Sequence, residues 1–488
     1  NPPWINWESL PDYYRVEITP LWGEHSLFSH KGFDAILGKS KDDISVLMTY
    51  VSADKYLKDE GWLGFLITQS VFKSVGGGKG FRRFKLGDGT FLKVLAVDDM
   101  SSIKPFEGAS NRTSVFVLKK NGKTKYPVQY NWWYKPKGGS VIPEDISFND
   151  LLTDRIVTYR QFVAVPIDSN EITSPWITGK KNALQALSKI QGESDYQARA
   201  GVCTWMNGAF WLNLLDVRND GMLVLNNYTK GAKRKVENLQ TIMEPDLIYP
   251  LLRGRDVEQW SANPELFILL THENGMGLKA ISENDMGIKY PKTYNYLKNL
   301  ECLLRTRSGF SRYFKDSDPF YSCFNIGDYT FAPYKVVWRY ISTDFTCAVI
   351  GGHSTNLGKK TIIPDSKLMM IPFYSKKEAH FVCACLSSSL TNYLVKSYAV
   401  NTQIATHVLN FIKIPFWDPE NPLHNQLSDL SIEGHKAKLH KNKKRVDDIQ
   451  NEIDLITSNF WGLTGDELND VVESLNILQG KKINGNNM

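Results

Sequence analysis

The sequence predicts an α/β protein: part of a doubly wound sheet near the N-terminus, a longer α+β region after it, and a helical C-terminal segment. Three observations predict this. Apolar runs of strand length, WLGFLIT (62–68), LKVLAV (92–97) and SVFVL (114–118), recur between polar or Gly-rich connections. Beyond about residue 120, short strand-like runs are separated by Gly, Asn and Pro turns. From about residue 430, apolar residues step by three and four through a charged background.

Each element has a local reason. Ile44, Leu47, Met48 and Val51 form a helical stripe, and Gly61 lies just past that helix's expected end. The nearly continuous apolar run at 62–68 suits a strand covered on both faces, as in a parallel sheet. The stretch NGKTKYPVQYNWWYKPKGG that follows residue 120 reads as a domain junction. Further helices are expected over 290–307 and 377–398. The steps Val446, Ile449, Ile453, Ile456 and Phe460 mark an amphipathic seam. At 488 residues the chain exceeds one ordinary core, so several domains are expected. The pattern shifts near residues 120 and 430; with the resemblance described below, the bounds are expected at 1–125, 126–245, 246–425 and 426–488.

Composition excludes some classes and permits others. With 42% hydrophobic and 23% charged residues, the chain reads as globular, and its net charge of +6 permits nucleic-acid binding without requiring it. No apolar run is long enough to cross a bilayer, so no membrane partner is expected. Six cysteines without Cys-x-x-Cys spacing read as buried free thiols, pointing to a reducing, cytoplasmic setting and to no metal site. GGGKG (76–80) lacks the spacing of a phosphate loop and reads as a flexible loop. No Glu-x-Lys occurs, and Asp365–Lys367 is an isolated Asp-x-Lys in a turn, so a metal-dependent nuclease is not supported.

The chain opens on NPPW. The exocyclic amine of adenine is a poor nucleophile because its lone pair is delocalised into the ring, and alkylating it requires two acceptors that draw on its N–H bonds. The side-chain oxygen of Asn1 and the carbonyl of Pro2 can serve. Pro2 and Pro3 fix φ and remove competing donors. Trp4 offers a face on which an extruded base can stack. An Asn-Pro-Pro turn followed by a core tryptophan is the plainer alternative.

The tetrapeptide is followed by GWLGFLITQSVFKS (61–74), by FRRFKL (81–86) and FLKVLAVDDM (91–100), and by KPFEGASNRTSVFVLKK (104–120). In this order the segments resemble the adenine-specific DNA methyltransferases of the Eco57I-like (type IIG restriction-modification) group. The likeness continues through IYPLLRGRDVEQW (248–260), SCFNIGDYTFAPYKVVWR (322–339), EAHFVCACLSSSLTNYLV (378–395) and FWGLTGDELNDVV (460–472). FDAILG (33–38) departs from the pattern, since relatives carry that phrase directly before the tetrapeptide. The resemblance implies the C-terminal half of a class I (Rossmann-like) methyltransferase sheet over 1–125, then a junction, a DNA target-recognition domain over 246–425, and a helical tail.

By the same resemblance, Asn1, Pro2, Pro3 and Trp4 are catalytic, and Trp4 and Phe106 hold the flipped base. Arg253, Arg255, Arg307, Lys335, Arg339, Lys359 and Lys360 are candidate DNA contacts, with ion-paired, helix-dipole or solvated roles as the alternatives. The basic runs 230–235 and 435–445 would add phosphate neutralisation or simply be solvated faces. The implied cofactor is S-adenosylmethionine, whose Gly-rich motif is expected upstream of residue 1. The donor site is therefore expected to be missing unless a donor-binding or nuclease domain or subunit completes it, and this chain alone is expected to be inactive. Double-stranded DNA is the implied partner, and the setting is a restriction-modification or phage-defence system. A non-catalytic DNA-specificity subunit or decayed remnant is the other reading.

Overall fold

The computed structural model describes residues 1–28, 42–103, 105–106, 111–136, 142–143, 145–231, 234–355, 358–398 and 403–480. FDAILG (33–38) and parts of the segments at 104–120 and 230–235 lie outside the described residues. The chain divides into two units: Asn1–Gly192 with the segments that start at Tyr393 and Trp461, and Glu193–Asn392 with the segment that ends at Phe460.

In the first unit the three apolar runs become β1 (Trp62–Thr68), β2 (Leu92–Asp99) and β3 (Thr113–Lys120). They share a sheet with β4 (Val128–Tyr134), β5 (Thr158–Pro166) and β6 (Trp176–Gly179), in the order β1-β3-β2-β4-β5-β6. The last of the three runs lies between the other two and is antiparallel to both, while β2 and β4 are parallel. The sheet is therefore mixed rather than parallel. β1 is its edge strand, with Trp62 exposed and Leu63 and Phe65 half-buried, so its apolar run does not signal cover on both faces. The supposed junction near 126–134 is itself a strand, and the sheet runs on to Gly179.

Helices α1 (Asp12–Glu24) and α2 (Ile44–Lys55) and the single turn α3 (Ser70–Lys73) belong to this sheet's unit, as does α4 (Lys181–Leu187). Asp43 caps α2 by accepting from Ser45 N at 2.8 Å. An aromatic core of Phe72, Phe81, Phe84, Phe116 and Trp176 fills the unit, with Phe72 stacked on Trp176 at 4.9 Å. The glycines at 76–80 form a packed corner rather than a flexible loop. Gly78 holds φ +87°, a Cβ on Gly80 would stand 2.1 Å from the Leu27 carbonyl oxygen, and Arg82 is wholly buried beside them.

The second unit contains two further sheets. The first is built from β8 (Trp211–Val217), β9 (Leu223–Asn227), β10 (Gln240–Met243), β11 (Ile248–Leu252), β14 (Leu266–Leu269) and β19 (Ile363–Pro364), in the order β10-β9-β8-β14-β11-β19. The second is built from β7 (Arg199–Ala200), β15 (Tyr334–Arg339), β16 (Cys347–Ile350) and β20 (Leu368–Phe373), in the order β16-β15-β20-β7. Two small ribbons pair β12 (Val257–Glu258) with β13 (Ser261–Ala262), and β17 (Gly352–Thr355) with β18 (Gly358–Thr361).

The helix expected over 290–307 is interrupted at Leu300, leaving α5 (Pro291–Asn299) and a short turn Glu301–Arg305. The one expected over 377–398 breaks at Ser388, whose ψ of 150° is extended, giving α6 (Lys376–Ser387) and Ser389–Tyr398. The C-terminal region is not a separate tail: α7 (Pro422–Leu439) and α8 (Lys443–Phe460) belong to the second unit, with Ile449 and Ile453 buried, whereas α9 (Gly465–Leu478) belongs to the first. Of the six thiols, Cys302 is exposed and Cys203 half-buried, and the other four are buried as expected.

Candidate functional site

The C-terminal ends of β1, β2 and β4 point to one edge of the first sheet, since β1 and β2 both run antiparallel to β3 and β4 runs parallel to β2. In α/β sheets that edge is where ligands bind, because the strand ends leave a crevice there. The opening tetrapeptide lies at it. Trp4 donates its indole N–H to the Leu66 carbonyl near the end of β1 at 3.3 Å, and its ring meets Phe106 edge-on at 5.8 Å and 67°. These two aromatics are far apart in sequence and were expected to hold one base together. Trp4 is half-buried and Phe106 is 41% exposed, so both keep accessible faces.

Asn1 is exposed, Pro2 buried and Pro3 exposed. The residues just after the tetrapeptide are tied down: Ile44 N donates to the Ile5 carbonyl at 2.9 Å, and Trp7 N to the Asp42 carbonyl at 2.9 Å. Asp42 in turn accepts from Gly78 N at 2.9 Å through its side chain. The glycine corner thus supports the segment bearing the tetrapeptide rather than cradling a phosphate.

Polar residues that the sequence alone did not single out gather behind this edge. Gln69, Asp99 and Tyr130 are buried and share hydrogen bonds on the Asp99 carboxylate. Lys73 lies nearby, donating to Thr178 Oγ1 at 2.7 Å and the Ser397 carbonyl at 2.8 Å. Burial pushes its ammonium down to about 8, against the pull of Asp99. The signal was present in the sequence as polar residues at the ends of apolar runs, Thr68–Gln69–Ser70 and Asp98–Asp99.

The seven basic candidates in the second unit separate sharply. Arg307 is 1% exposed and donates to the carbonyls of Leu304, Thr204, Phe320 and Ser322 at 2.7–3.0 Å, while stacking by Phe210 and Phe310. Lys335 is buried too, donating to the carbonyls of Ala332 at 2.8 Å and Ile362 at 3.3 Å, and burial pushes it down to about 7. Arg253 forms a bidentate pair with Asp256 at 2.8 and 2.9 Å and reaches Glu265 at 2.5 Å. Lys360 is clipped to the carbonyls of Pro245, Asp246 and Ile248. These four cations are engaged by groups of the unit itself. In each case the charge meets oxygens contributed from elsewhere in the chain, which residue type and spacing do not reveal.

Arg255 and Lys359, by contrast, are exposed and form no ion pair among the described residues. Arg255 sits one residue past Gly254 in the turn that the Arg253–Asp256 pair locks, so its backbone is held while its guanidinium faces solvent. Arg339 is half-buried, with an Nε that has no hydrogen-bond partner among the described residues.

A possible cation cluster, Glu24, His25 and Asp54, brings one ligand atom from each within 4.8 Å. Lys55 already sits 2.7 Å from Asp54 and 3.7 Å from Glu24, and His25 Nδ1 accepts from Gly87 N, so these groups are engaged within the chain. No helix among the described residues is long and apolar enough to cross a membrane.

No protein-family profile matches the chain. Its fold is nevertheless one found among restriction-modification enzymes. The type IIL restriction-modification enzyme MmeI, solved in complex with DNA, is similar at a TM-score of 0.54 and 11% identity, the match covering 98% of this chain and 57% of that one. The chain thus spans little more than half the length of that enzyme. In sequence it is homologous to a type II methyltransferase, M.NspV of Nostoc sp. (strain ATCC 29411 / PCC 7524), being 22% identical over 444 residues that cover 89% of this chain and 75% of the relative.

Proposed function

We propose that this chain is the base-holding and sequence-reading part of a site-specific DNA adenine methyltransferase of a restriction-modification system. The observation that carries the reading is the meeting of Trp4 with Phe106 at the edge where β1 and β2 end. An adenine swung out of the duplex stacks on Trp4, with Phe106 closing the second side. Its amine donates one hydrogen to Asn1 Oδ1 and the other to the Pro2 carbonyl, which concentrates the nitrogen's lone pair for alkylation. The second unit reads the duplex, with Arg255 and Lys359 as its candidate contacts, since exposed and unpaired cations are the ones available to phosphate or guanine.

S-adenosylmethionine supplies the methyl group in such chemistry. The Gly-rich corner at 76–80 does not fit a site for it, being closed by Leu27 and by Arg82, which donates to the Val71 and Ser74 carbonyls at 2.7 and 2.9 Å. No step is therefore assigned to a donor site within these residues.

The test is methyl transfer by the full-length protein, read as N6-methyladenine in DNA by sequencing. Asn1→Ala removes one of two acceptors, and a loss on the order of 100- to 1,000-fold in kcat is expected, as for one oxyanion-hole donor. Because Asn1 is exposed, its melting temperature should not move. An Asn1→Ala protein that methylates adenine at the wild-type rate would exclude the reading.

A further inference from the structure

We propose that Gln69, Asp99 and Tyr130 form a buried clamp that fixes the root of the β2–β3 connection and thereby holds Phe106 against Trp4. The three are positioning residues, and the assignment rests on the base-holding reading above.

Asp99 ends β2 and is 1% exposed. Its Oδ2 accepts from Gln69 Nε2 and from the Tyr130 hydroxyl at 2.5 Å each, and its Oδ1 accepts from Ser101 N at 2.9 Å. On the return side, Gln69 N donates to the Arg112 carbonyl at 2.8 Å and Met100 N to the Thr113 carbonyl at 3.0 Å. Both ends of the connection are thus fastened to the same few buried groups. Phe106 itself is 41% exposed, and its edge-on packing with Trp4 is worth roughly 0.5–1.5 kcal/mol, comparable to the entropy of ordering a single backbone residue. That packing alone cannot fix the connection, so its placement must come from the root.

The composition of the clamp supports a role beyond stability. A carboxylate accepting three hydrogen bonds in the interior carries a large desolvation cost, and replacing buried charged clusters by apolar groups of the same volume is often neutral or stabilising for the fold. Gln69 Oε1 and Thr113 Oγ1 have no hydrogen-bond partner among the described residues, and such groups are uncommon in native interiors. Fixed geometry is what a directional polar network provides and an apolar cluster does not.

The experiment places a para-fluorinated phenylalanine at position 106 and follows its fluorine resonance together with the melting temperature. Asp99→Asn leaves one acceptor oxygen for three donors, with its amide nitrogen set against either Ser101 N or the Gln69–Tyr130 pair, and should broaden or split the line. Tyr130→Phe and Gln69→Met, which keep the packing, should shift it less. Leu92→Ala, at the far end of the same strand, is the control that lowers the melting temperature while leaving the line alone. In the full-length protein Asp99→Asn should cost about ten- to a hundredfold in kcat, with KM for DNA unchanged. An unaltered fluorine line in Asp99→Asn, or in the other two variants should Asp99→Asn fail to fold, overturns the clamp. Absence of adenine methylation by the full-length wild type would instead overturn the base-holding reading, and the fluorine result would still report on the clamp.

Discussion

A guanidinium buried against carbonyls and one left in solvent respond oppositely to mutation. Arg307 satisfies four backbone carbonyls from three separate stretches of chain, and burial lowers its pKa because the charged form loses water. Arg307→Met should destabilise the second unit by several kcal/mol, at roughly 1–3 per orphaned buried acceptor, as urea denaturation would show. Arg255→Ala should leave that denaturation midpoint in place. Under the proposed function its effect falls on DNA binding: the slope of log affinity against log salt should become shallower by about 1 for each phosphate that is no longer neutralised, and Lys359→Ala should do the same. Unchanged slopes in both variants would remove the two residues from the interface. None of this separation between Arg307 and Arg255 is visible in residue type, since each is an arginine beside a turn, and the carbonyls that claim Arg307 come from up to 103 residues away.

At the level of elements, the packing of α6 and α7 against the second unit's four-stranded sheet includes two histidines held neutral. His435 on α7 accepts from Val349 N with Nε2 at 2.9 Å and bonds the Ser431 carbonyl through Nδ1 at 2.7 Å, so its neutral form uses both nitrogens. Its ring meets that of His380 at 5.0 Å; burial pushes His435 down to about 4 and His380 to about 3, with Lys376 adding to both and His435 adding to the depression of His380. Because the folded pKa values lie below the unfolded value near 6.5, the unfolded chain binds more protons between them. The contribution is complete above about pH 6.5 and is lost as pH falls from there toward 4. His435→Gln, which keeps an acceptor for Val349 N but cannot titrate, should show a smaller fall in melting temperature across that interval, and an identical fall would count against the assignment. Gly80→Ala probes the other unit: its Cβ would press on the Leu27 backbone, and a loss of about 1–3 kcal/mol is expected from overpacking in thermal unfolding. Elements of this kind were partly legible beforehand. The strands at 62–68, 92–97 and 114–118 and the seam on α8 announce themselves because burial imposes a period on local sequence. The reversed direction of β3, the strand hidden in NWWY and the closed glycine corner do not, since strand direction and the partners of Gly80 and Asp42 are fixed by distant parts of the chain rather than by any local pattern.

On the scale of the whole molecule, both units are discontinuous in sequence, and that changes what the C-terminus means. Residues after 425 read as an appended helical tail, yet α9 belongs to the first unit, hundreds of residues after its sheet is complete. It is capped by Thr464 and Glu467 in a reciprocal pair and packs along α4, where Lys180 reaches Glu473 and Lys189 reaches Glu467, each at 2.7 Å. Those surface ion pairs are worth at most about 1 kcal/mol each. Apolar burial outweighs them: Leu468, Val471, Leu475 and Ile477 are buried, and Ile477 joins the same core as Phe72 and Trp176. At roughly 1.5–3 kcal/mol per side chain their burial contributes about 6–12 kcal/mol as an upper bound, similar to the whole stability of a domain. Deleting residues 461–488 should therefore abolish hydrogen-exchange protection of the β2 and β3 amides while sparing β15 and β20 of the second unit. If the second unit reads DNA as proposed, the truncated chain should retain DNA binding with the salt dependence of the parent, and lose any methyl transfer with the first. If β2 and β3 keep their protection after the deletion, α9 is an appendage after all and the closing of the first unit by its C-terminus is wrong.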